Sequence, residues 1–88
     1  MTEPDELIDA CFLCAGLFRL GRDVEGALRM VDLFDALAPR LAQAGAEEQQ
    51  AWGLLVNDIF SRQRLQDWLG VADALQYELV TLISAGQA

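Results

Sequence analysis

Apolar residues recur along this chain at helical spacing, in four successive blocks separated by short polar breaks. The last block is the plainest. Leu69, Ala72, Leu75, Leu79, Leu82 and Ile83 form one continuous stripe, so Asp67 to Ile83 is predicted to be the helix that closes an all-helical bundle. Asp67 suits the N-cap, because its carboxylate can accept from amides one turn on. Gly86 follows the stripe, where a left-handed residue can end a helix. Trp68 and Tyr77 flank the stripe, while Asp73 and Glu78 face away from it.

The first block places Leu7, Ile8, Cys11, Phe12, Ala15 and Phe18 on a wide helical face. Thr2 can cap its start, Pro4 suits the first turn, and Glu3, Asp5 and Glu6 sit at the positive end of the dipole. Leu13, Leu17 and Leu20 fall largely off that face, so the helix is apolar on more than one side. Gly21 ends it. Asp23 is the expected cap of a second helix, whose stripe reads Val24, Ala27, Leu28, Val31, Phe34, Ala38 and Leu41. Pro39 removes the amide that would bond to Asp35, so it should kink this helix or end its regular part nearby. Ala44 and Gly45 close it.

Glu47 and Glu48 open a third helix with stripe Trp52, Leu55, Val56, Ile59 and Phe60. Residues 61–66 read as a polar connection, with Arg62 and Arg64 near the negative end of that helix. Gly16 and Gly53 are expected to permit close helix contact. Leu28, Asp32, Leu41, Ala44 and Gly45 recur as Leu69, Asp73, Leu82, Ala85 and Gly86 at a spacing of 41 residues. In a chain rich in Leu and Ala that echo is weak, but its phase suits one helix pair followed by another. There is no strand-like alternation. The expected fold is therefore all-α: a compact antiparallel four-helix bundle of two hairpins in a single domain, residues 1–88. The alternative is a three-helix bundle with helix two kinked at Pro39.

Composition adds one inference. The chain has 88 residues, of which 53% are hydrophobic, and such a small domain has little interior. Some apolar side chains should therefore remain outside as a patch that a partner or a second copy covers. Net charge is −8, with six bases that are all Arg, and no Lys or His. That balance disfavours nucleic acid and anionic membrane surfaces, and permits a basic protein partner. No apolar run reaches the roughly 20 residues of a membrane span, and the N-terminus is acidic where a secretory leader is basic. A cytoplasmic, bacterial setting is the expectation.

Chemistry finds little to work with. Cys11 and Cys14 form a CxxC, but a redox pair needs the first thiol at a helix N-terminus, and these lie inside a helix. They read as small core residues; a zinc site would need further Cys or His ligands, which only a second copy could bring. Asp5 with Asp9, Asp32 with Asp35, and Glu47 with Glu48 read as solvated acidic faces. Asp32 and Asp35 stand nearest an apolar stripe. Without His or Lys there is no activated nucleophile, Schiff base or phosphate loop. No catalytic, cofactor or metal residue is expected.

The expectation is a non-catalytic, homodimeric interaction module with interface candidates Leu13, Leu17, Leu20, Trp68 and Tyr77. In length, acidity and helicity the chain is similar to the small acidic helical chaperones of flagellar or type III export. No residue motif carries that likeness, so no functional residues follow from it. An immunity or antidote protein, masking a basic partner with an acidic surface, is the other binding alternative.

Overall fold

The computed structural model describes residues 4–85, which form an all-α bundle of four helices. They are α1 (Pro4–Arg19), α2 (Asp23–Ala42), α3 (Ala46–Arg64) and α4 (residues 68–85). The expected Thr2 cap and Gly86 terminator lie outside the described residues. α1 and α4 meet along their lengths at the centre, α2 packs on α1, and α3 packs on α4. Of the neighbouring pairs around the bundle, α2 and α3 touch least.

Two like turns make the hairpins. After α1, Gly21 is left-handed (φ 77°); its amide bonds to Phe18 O at 3.1 Å and the Arg22 amide to Leu17 O at 2.9 Å. After α3 the same pair of bonds recurs, from Gln66 to Gln63 O and from Asp67 to Arg62 O. Both are Schellman closures, and the second places Gln66 (φ 59°) where glycine is favoured. α3 extends through Arg64, so the connection expected over residues 61–66 is shorter: its first residues are helical.

α2 corrects two expectations. Asp23 is its first helical residue rather than its cap; the cap position is Arg22, with no side-chain capping bond. The helix is continuous through Pro39 and ends three residues beyond it, at Ala42, within the range expected of the proline. Pro39 and Asp35 are both exposed, so water can serve the carbonyl that lost its amide. The buried face is Gly26, Met30, Leu33 and Leu37, not the stripe through Val24, Leu28 and Val31, which lies in solvent. The reason is a close approach. A Cβ at Gly26 would lie 3.0 Å from the Phe18 ring, and the Cys14 thiol donates to Gly26 O at 3.3 Å. α1 therefore selects the glycine face of α2. Gly16 and Gly53, by contrast, have nothing within 4 Å of such a Cβ and mediate no close contact.

α4 keeps its Asp67 cap, which accepts from the Gly70 amide at 3.0 Å. Arg62, paired with Asp58 at 2.9 Å and reaching toward Asp67 at 3.7 Å, holds the α3–α4 corner. Between two α-helical stretches, Trp68–Asp73 and Val80–Ala85, residues Ala74–Leu79 form a π-helical turn. Val71, Leu75, Leu79 and Ile83 are all buried and step by four residues. In a regular α-helix each such step over-rotates by about 40°, and the wider π turn takes up the excess. Glu78, which α-helical phase would carry inward behind Val71 and Leu75, stays exposed. The same turn leaves Leu69 outside the stripe expected of it, at 61% exposure.

Candidate interaction surface

α2 carries two apolar stripes, and the core uses one. The second starts in solvent at Val24, Leu28 and Val31. It continues to Phe34, Ala38 and Leu41, where α3 draws alongside. There α2 and α3 leave an apolar cleft of about 210 Å³, walled on the α3 side by Trp52, Val56 and Phe60 and floored by Leu37. No charged side chain lines it. Phe34 meets Trp52 edge to face (centroids 6.2 Å, 86°) and Phe60 likewise (6.1 Å, 76°), a geometry aromatic quadrupoles favour. Trp52 is buried, while Phe60 stands 45% exposed at the mouth.

Asp32 and Asp35 sit on the outer side of the same helix. Helical spacing sets Asp35 one turn from both Val31 and Ala38, and Asp32 one turn from Leu28. Both carboxylates are exposed. The ion pairs among the described residues join Arg19 to Asp73, Arg22 to Glu25, and Arg62 to Asp58 and Asp67, so neither Asp32 nor Asp35 has a basic partner there.

The expected interface residues fall in different places. Leu13 and Leu20 are exposed and Leu17 half-buried, at positions that make one line along α1. Arg19, two residues from Leu17 and so on the opposite flank of α1, bonds to Asp73 and Gln76 of α4. The leucine line therefore lies away from α4, which carries Trp68 and Tyr77. Trp68 is half-buried and stacked on Phe18 (5.8 Å, 18°), and Tyr77 is exposed on the π turn. Sequence reading missed the cleft because it placed Phe34, Ala38, Leu41, Val56 and Phe60 in core stripes.

The chemical candidates are positioned as follows. Cys11 and Cys14 are buried free thiols. Burial pushes Cys14 up to about 11, and burial together with the neighbouring Cys14 pushes Cys11 up to about 12, so both remain protonated and weakly nucleophilic. Among the described residues, no charged or polar side chain is buried and no three metal-ligating side chains gather. No described helix is long and apolar enough to cross a membrane. Compared with known proteins, the chain matches no family model, no curated protein and no solved structure.

Proposed function

We propose that the chain is a non-catalytic helical interaction module that works as a homodimer. The observation that supports this reading is apolar surface left in water. Leu13, Leu20, Val24, Leu28, Leu65 and Leu69 are each more than half exposed on a chain of only 88 residues. Surface of that kind is what partners cover. The line Leu13, Leu17, Leu20 offers a second copy a self-complementary seam, since a two-fold axis lays the same residues against themselves.

Light scattering on the purified chain tests the reading. A dimer is expected, and Leu13→Glu with Leu20→Glu should give a monomer of unchanged helicity by circular dichroism. A wild-type chain that stays monomeric at high concentration overturns the homodimer.

A further inference from the structure

The geometry points to a second, separate use of the α2–α3 cleft: it receives an amphipathic helix with a basic flank, supplied by a different protein. This inference goes beyond the homodimer and does not rest on it. The cleft opens where the bundle is least closed, between its two least-packed neighbours. Its volume of about 210 Å³ exceeds the ~150 Å³ that holds a benzene ring, so it admits one bulky apolar side chain. The apolar line does not stop at the cleft. From Leu41 back to Val24 it follows α2 for about 25 Å, the length of a helix of roughly 17 residues. A pocket for one anchor, continued by a ridge of that length, suits a helix whose apolar face repeats every three to four residues.

Charge selects the occupant. Asp35 continues the row of Val24, Leu28 and Val31 beside the cleft and Asp32 lies next to Leu28, and neither has a basic partner among the described residues. Arg29, one turn from Asp32 on the same helix, forms no ion pair with it. A helix with Lys or Arg flanking its apolar face would pair with both carboxylates. A second copy seated here about a two-fold axis would instead set Asp32 and Asp35 against the same carboxylates of its partner and add like charge at this rim. The α2 cleft is therefore a poor seam for self-association.

Two synthetic helical peptides of roughly 18 residues test this, one of Leu and Lys and one of Leu and Glu in the same pattern. Titrated into the full chain, the Leu/Lys peptide should shift the amide NMR signals of Ala38, Gly53 and Val56, and the Leu/Glu peptide should not. Asp32→Arg with Asp35→Arg should weaken Leu/Lys binding about tenfold, since two exposed rim pairs are lost. The same reversal at Asp5 and Asp9 on α1 should change it less than about twofold. Ala38→Arg, which blocks the cleft, should abolish peptide binding and leave the oligomeric state unchanged. Equal losses from the α1 and α2 reversals, equal binding of both peptides, or no binding of either would overturn the proposal. So would dissociation of the dimer by Ala38→Arg, which would make a second copy the occupant. Loss of the dimer in the α1 leucine variant alone would leave this inference standing.

Discussion

The ring of Phe18 occupies the space a methyl group on Gly26 would need: Cε2 and Cζ both lie 3.0 Å from the Cβ position. Phe18 is 1% exposed and stacked on Trp68, so its ring has no free volume to retreat into. Gly26→Ala gains helix propensity of about 1 kcal/mol but must overpack this contact, at a cost of ~1–3 kcal/mol. A net loss of about 1 kcal/mol is expected by urea denaturation. Gly53→Ala, in an exposed turn of α3 with nothing within 4 Å, should instead stabilise by ~0.5–1 kcal/mol. Equal stabilisation by the two substitutions would show that this contact does not set the α1–α2 approach.

Helix number and most boundaries were legible from local chemistry. Gly21 and Asp67 act through their own backbone and first turn, which a linear reading can see. The phase of α2 was not legible, because that helix carries two apolar stripes of similar strength. The choice between them was made by Gly26, a residue with no hydrophobic signal that matters only once Phe18 lies across it. Leu69 was misplaced for a related reason: the π turn shifts the phase of α4, and periodicity assumes a constant pitch. Leu13 and Leu20 lie outside as the surplus of apolar residues led us to expect. The cleft was hidden because it depends on how far α2 stands from α3.

Gln66 adopts a left-handed conformation (φ 59°) that costs an ordinary residue ~1–2 kcal/mol and glycine almost nothing. Its counterpart in the first hairpin is Gly21, with the same pair of closing bonds. Gln66→Gly should raise the thermal midpoint, with a gain of ~0.5–1 kcal/mol after the extra flexibility of the unfolded chain is subtracted. Gly21→Ala should lose about 1 kcal/mol, although a Cβ there meets no neighbour. A destabilised Gln66→Gly variant would mean that the glutamine side chain, rather than the backbone turn, holds this corner.

The two cysteines give stability a dependence on alkaline pH. Their folded values lie at about 12 and about 11, raised from 9.0 chiefly by burial. Between pH 9 and about 11 the unfolded chain loses these protons while the folded chain keeps them. Stability should therefore be fully present below pH 9 and fall as pH rises through this window. Cys11→Ala with Cys14→Ala will be less stable overall, because it leaves cavities, but its stability should vary less between pH 8 and pH 11. Urea midpoints across that range measure the difference. Slopes that coincide for the two proteins would show that the thiols ionise alike in the folded and unfolded chains. Native thiols should also react slowly with a thiolate-selective reagent at pH 8 and quickly in denaturant.

The π turn of α4 answers a mismatch in residue count, so removing one residue should remove the need for it. Val71, Leu75, Leu79 and Ile83 are spaced by four, four and four, and only the π turn keeps all four buried. Deleting Glu78, which is exposed, changes the spacing to four, three and four, the pattern a regular α-helix places on one face. The deletion variant should fold with an uninterrupted α4 and the same buried side chains, within about 1 kcal/mol of the parent. Deleting Phe12, an exposed residue in the regular helix α1, should behave quite differently. It carries Arg19 into the place of Phe18, against Trp68 and Gly26, and should cost ~3–5 kcal/mol or prevent folding. Amide NMR connectivities through residues 71–83 would report loss of the i→i+5 bonds directly. If removing Glu78 unfolds the chain as thoroughly as removing Phe12, the π turn is required by something other than the four-residue spacing of its apolar side chains.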